Sequence, residues 1–219
     1  MANMRRTSQQ AGDMTGESVN PIPNILTMIR LIGGVVMFVL LAGAVGGIPF
    51  LDVNSEVLDA LQRWGVYIFV IAALTDLFDG ILARKLHAES RWGAILDPIA
   101  DKILVCGTIL GLFCIKTGDP VFALPAAFIL FREFAVSALR EAGAARGVKV
   151  PVSFMGKIKT TLQLIALAAL LVTESWGAFG LPLDFYGPCF IAANILLLIA
   201  AIASVWSGVA YFLAARADL

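Results

Sequence analysis

Asp76-Leu77-Phe78-Asp79-Gly80-Ile81-Leu82-Ala83-Arg84, followed eight residues later by Gly93-Ala94-Ile95-Leu96-Asp97-Pro98-Ile99-Ala100-Asp101, sets four carboxylates into otherwise apolar sequence. An ionised side chain at membrane depth is costly unless it is paired, bound to a metal or wet. A chain that keeps four such groups together therefore uses them, and the use that suits them is holding divalent cations.

The cost depends on a membrane setting, and composition supplies one. Of the 219 residues 59% are hydrophobic and only 15% charged, and the mean hydropathy is +0.88, well outside the range of soluble domains. The chain is expected to be all-α and polytopic. Six apolar stretches lie near the ~20 residues that cross ~30 Å of hydrocarbon, at Ile25 to Val45, Trp64 to Leu82, Ile95 to Ile115, Val121 to Leu139, Ile158 to Val172 and Phe190 to Phe212. Barrel strands would be half as long and would alternate polar with apolar residues.

Lysine and arginine divide unevenly between alternate connections. Arg5, Arg6, Arg84, Lys85, Arg91, Arg140, Arg146, Lys149, Lys157, Lys159 and Arg216 fall on one side, and only Arg63 and Lys116 on the other. The positive-inside rule then puts both termini in the cytoplasm. Residues 1–21 are polar with no apolar core, so they form a cytoplasmic segment rather than a secretory signal, and 22–219 form one membrane domain. The formal net charge of zero says nothing about partners, and no nucleic-acid partner is expected.

Cys106, Cys114 and Cys189 are isolated and are expected to be small buried apolar residues. His87, the only histidine, has no companion for a zinc site and is expected in a loop. Gly107 and Gly111 form a small-xxx-small pair that permits close helix packing, within one chain or across a dimer.

Counting ~1.5 Å per residue from Trp64 puts Asp76 about 18 Å across and Asp79 deeper, toward the cytoplasmic face. Spacings of three (Asp76, Asp79) and four (Asp97, Asp101) place each pair on one face of its helix. Two helices joined by a hairpin can then aim all four acids at one spot. Convergent carboxylates need positive charge between them, and oxygen ligands suit Mg2+ or Mn2+ shared with substrate phosphates, with two ions able to clamp a phosphoryl centre. The competing arrangement pairs Asp76 and Asp79 with Arg84, and Asp97 and Asp101 with Lys102, as packing salt bridges. Gly80 and Gly93 allow a backbone to approach a ligand closely, and Arg84 can meet a pyrophosphate.

The complete string Asp-x2-Asp-Gly-x2-Ala-Arg-x8-Gly-x3-Asp-x3-Asp resembles the signature of the CDP-alcohol phosphotransferases, membrane enzymes of phospholipid synthesis. The resemblance implies six transmembrane helices, often dimerised; Asp76, Asp79 and Asp97 as the main metal ligands; a CDP pocket including Asp76, Gly80, Ala83, Arg84 and Gly93; and Asp101 as the base. It also implies attack by an alcohol hydroxyl on the β-phosphorus of CDP-diacylglycerol, with CMP leaving.

Outside the signature, Glu133, Ser137 and Arg140 share a helix face with Arg132 beside them, and a charged Arg132-Glu133 pair in an apolar span is not expected to face lipid. Lys149, Ser153, Lys157, Lys159, Thr160 and Gln163 surround the start of the fifth helix, where exposed amides favour an anion. Arg132, Ser137, Arg140, Ser153, Lys157 and Lys159 are therefore candidates for the phosphate of a phosphorylated acceptor. Asn24, Thr27 and Arg30 recur every three residues and can face the nucleotide cavity, although Asn24 can equally cap its helix and Arg30 can equally meet an acid.

Arg132 to Glu141, Val150 to Gln163, Pro23 to Arg30 and the Ala-Ala-Arg216-Ala-Asp218-Leu219 ending are similar to the bacterial branch of the family whose acceptor is sn-glycerol 3-phosphate. That similarity implies a place in the bacterial inner membrane, with the site facing the cytoplasm, and a role in phosphatidylglycerol and cardiolipin synthesis. The competing possibilities are an acceptor such as inositol phosphate or phosphatidylglycerol or, from another class, a divalent-cation transporter. The latter usually shows internal repeats, and none is visible.

Overall fold

A computed structural model describes residues 22–46, 54–86, 91–147 and 154–218. Within them the chain forms six α-helices, α1 (Ile22–Gly43), α2 (Ser55–Leu86), α3 (Arg91–Ile115), α4 (Pro120–Ala145), α5 (Phe154–Glu174) and α6 (Tyr186–Asp218), with a short 3-10 turn at Leu183–Phe185 before α6. The described residues contain no strand.

Among the described residues five segments are long and apolar enough to cross a membrane: Ile25–Gly43, Ser55–Asp76, Leu96–Ile115, Pro120–Ala145 and Leu183–Arg216. The side chains of α5 are described over 158–174, a stretch too short to enter that count.

Helix ends extend beyond the apolar runs because capping and turn chemistry, rather than hydropathy, set them. Asn54 Oδ1 accepts from Val57 N at 3.0 Å, so α2 begins two turns before Trp64. Asp119 caps α4 by accepting from Val121 N at 3.1 Å, with Pro120 in the first turn where a missing N–H costs nothing. Thr117 and Gly118 just before it both have positive φ, 48° and 79°, which reverses the chain between α3 and α4. Asn24 lies inside the first turn of α1 rather than at its cap position.

Among the described residues α1 packs extensively on both α2 and α3, while α2 and α3 touch each other little; α6 packs on α4 and α5. Small residues bring α1 and α3 together: a Cβ on Gly107 would stand 3.0 Å from Gly34 O, and one on Gly34 would stand 3.3 Å from the Leu104 backbone. The Gly107 and Gly111 pair is thus used inside the chain. Met37, Leu41, Leu104 and Leu112 fill the α1–α3 half of the core, and Leu167, Leu170 and Leu197 the α5–α6 half. Large apolar side chains such as Phe131 and Trp206 point outward, each 68% exposed, as a lipid-facing surface requires. Cys106 and Cys114 are half-buried, and Cys189 is exposed. The last departs from expectation because it sits in the first turn of α6 on an outward face.

Candidate active site

Three of the four signature acids have described side chains, and α1 contacts each of them. Arg30, only 2% exposed, places Nη1 2.7 Å from Asp76 Oδ1 on α2 and 2.8 Å from Asp101 Oδ1 on α3. One turn earlier, Thr27 Oγ1 donates to Asp97 Oδ1. Asp76 of α2 and Asp101 of α3 thus reach one point, and among the described residues α1 packs on both helices while α2 and α3 touch each other little, with Gly34 and Gly107 letting α1 approach α3 closely. The salt-bridge alternative is corrected in its Lys102 half, while its Arg84 half lies outside the described residues. Lys102 turns away from Asp97 and Asp101 and donates to Ser137 Oγ on α4.

Asp79, Gly80, Ala83 and Arg84 lie on α2, Gly93 on α3, Asn24 on α1 and Lys157 on α5, and their side chains lie outside the described residues. Ser153, Lys149, His87 and residues 1–21 lie outside them altogether.

Two carboxylate oxygens within 2.8 Å of one cationic atom, from different helices, form a ready cation position. The donors are all oxygen, and Asp76 and Asp101 keep 31% and 52% of their side chains exposed, so a hydrated ion has access. That chemistry fits Mg2+ or Mn2+. Asp97 does not join Asp76 and Asp101 in a three-acid cluster among the described residues.

A second polar cluster fills the junction of α4 with α3, α5 and α6. Glu133 Oε1 accepts from Lys159 and lies 3.4 Å from Arg132 Nη1, and Arg132 Nη2 donates to Ser207 Oγ at 2.9 Å. Arg140 stacks its guanidinium 5.7 Å from the centre of the Tyr211 ring. Arg132 and Glu133 are 11% and 18% exposed, so the pair is turned away from lipid as expected. Lys159 and Gln163 are buried. Two cationic side chains, Arg132 and Lys159, thus meet the half-buried Glu133, with Lys102 on Ser137 and Arg140 on Tyr211 nearby, an excess of positive charge among the described residues that favours an anionic ligand.

Sequence reasoning missed Lys102 as a strut to α4, and it missed the α6 contribution. Ser204, Ser207 and Tyr211 share one face of an apolar helix, which was the available signal. Gln163 Oε1, Ser204 Oγ and Tyr211 Oη are buried with no hydrogen-bond partner among the described residues, and buried polar atoms of that kind call for a ligand or water.

A family model for CDP-alcohol phosphatidyltransferase matches residues 20–213. A protein of Rickettsia bellii named CDP-diacylglycerol–glycerol-3-phosphate 3-phosphatidyltransferase is 39% identical over 196 residues, covering 89% of this chain and 95% of the relative. One of the same name from Rickettsia felis is 37% identical over 89% of this chain and 95% of its own length. A third, from Escherichia coli K12, is 42% identical over 69% of this chain and 78% of its own.

Proposed function

The chain belongs to the CDP-alcohol phosphatidyltransferase family, and from that membership we propose that it transfers the phosphatidyl group of CDP-diacylglycerol to sn-glycerol 3-phosphate, giving phosphatidylglycerophosphate and CMP. It is a transferase of phospholipid synthesis, and the relatives named for this reaction align with most of its length. Family membership also decides against the transporter alternative.

The observation that carries the chemistry is the meeting of Asp76 and Asp101 at one cationic point. Divalent ions held by Asp76, Asp79, Asp97 and Asp101, two Mg2+ or Mn2+, would neutralise the donor diphosphate and ease departure of CMP. Asn24, Thr27, Arg30, Gly80, Ala83, Arg84 and Gly93 line the CDP pocket in this proposal. Asp101, the more exposed of the two convergent acids, takes the proton of the attacking hydroxyl as its oxygen bonds to the β-phosphorus. The bond from that phosphorus to CMP breaks as the new one forms. Arg132, Arg140, Lys157 and Lys159, with Ser137 and Ser153, hold the acceptor phosphate, and their excess positive charge supports a phosphorylated alcohol over a neutral one.

Six spans, both termini cytoplasmic and a site open to the cytoplasm of a bacterial inner membrane complete the proposal, supported by the lysine and arginine distribution. A homodimer is proposed with them from the family resemblance. Purified protein given CDP-diacylglycerol, glycerol 3-phosphate and Mg2+ should release CMP and form a phosphorylated lipid. Turnover with inositol phosphate or phosphatidylglycerol, and none with glycerol 3-phosphate, would overturn the acceptor and leave the reaction type standing.

A further inference from the structure

Arg30 is the largest of the fully buried side chains among the described residues, and its depth is not adjustable. Gly34, one turn further along α1, is pressed against the backbone of α3 at Leu104, and Gly107 against Gly34 O, so the register of the two helices holds the guanidinium level with Asp101. The same nitrogen holds Asp76 of α2, a helix that among the described residues touches α3 little on its own. Without a positive charge at that point the two carboxylates would repel each other across a low-dielectric gap. A divalent ion drawing on the same two oxygens competes with Nη1 for them, since two cations brought close together repel each other across the same low-dielectric gap.

We propose that Arg30 is an internal counter-cation: it keeps Asp76 and Asp101 at ligand spacing in the metal-free protein and gives up both carboxylates when the divalent ion enters. The proposal rests on the metal-dependent reading above. It makes Arg30 a positioning residue whose interaction with the acids belongs to the resting state, and it gives the metal-free site a defined shape instead of a repelling cluster. Thr27 does the same for Asp97 without a charge, so that acid stays in place while the exchange occurs.

The test is Mn2+ binding followed by electron paramagnetic resonance, on protein in lipid nanodiscs with no substrate. Removing the competing charge in Arg30→Gln should tighten Mn2+ binding at least about threefold. The melting temperature of the metal-free variant should fall, while that of the Mn2+-saturated variant returns close to wild type. Arg30→Lys, which keeps the charge and the fold, should bind Mn2+ with nearly wild-type affinity. Unchanged or weaker Mn2+ binding by Arg30→Gln, with wild-type protein binding normally, would overturn the exchange and leave the metal reading intact. Absence of Mn2+ binding by the wild-type protein would overturn both.

Discussion

Arg132 of α4 crosses α6 directly over Gly208, so closely that a Cβ on Gly208 would stand 2.8 Å from Arg132 Cγ. The neighbouring Ser207 accepts from the same arginine. Absence of a side chain at 208 thus sets where the guanidinium lies. Gly208→Ala should push Arg132 off Ser207 and raise KM for glycerol 3-phosphate by about three- to tenfold, with KM for CDP-diacylglycerol unchanged. Steady-state kinetics with each substrate varied in turn checks this, and an equal rise for both substrates would count against an acceptor role for Arg132.

Asp101→Asn keeps an oxygen that can accept from Arg30 and removes the ability to take a proton. Turnover should fall by about 100-fold or more, with KM for the donor near wild type. Turnover close to wild type would reassign the base.

At the far end of α1, Leu41 is fully buried and wedged between two glycines. A Cβ on Gly65 would stand 2.6 Å from Leu41 Cδ2, and one on Gly111 would stand 2.7 Å from Leu41 Cδ1. Gly111→Val should overpack this contact and destabilise the protein by about 1–3 kcal/mol. Because Leu41 is about 16 Å along the helix from Arg30, both KM values should hold, which separates packing from chemistry in one melting curve and one kinetic series.

Lys116 closes the end of the bundle away from the acids. It is 4% exposed, its Nζ lies 2.7 Å from Glu174 Oε1 and 3.8 Å from Asp119 Oδ2, and it sits 4.8 Å from the centre of the Phe190 ring. Lys116→Met would strand Glu174, itself only 15% exposed, and should cost about 3–5 kcal/mol. The Lys116→Met/Glu174→Leu double variant should recover part of that loss in thermal melting, since the unpaired charge is then gone.

The spacing of the four aspartates, the excess of lysine and arginine on one side and the Arg132-Glu133 pair were legible because each concerns the local cost of charge in an apolar chain. The six helices were legible for the same reason, although α2 and α4 start where Asn54 and Asp119 cap them and hydropathy does not register a cap. The competing pairing of Lys102 with Asp97 and Asp101 fails, because proximity along a helix says nothing about which adjacent helix a side chain reaches.

Sequence by itself determined an all-helical membrane protein with acids and bases in two clusters, since hydrocarbon thickness, helical periodicity and the cost of a buried charge act over a few turns. Only tertiary structure decided that Arg30 joins Asp76 to Asp101, the latter 71 positions away, and that α6 completes the basic cluster through Ser207. Such partners are chosen by which helices can approach, and here two glycines, Gly34 and Gly107, make that choice by leaving room for one backbone against another.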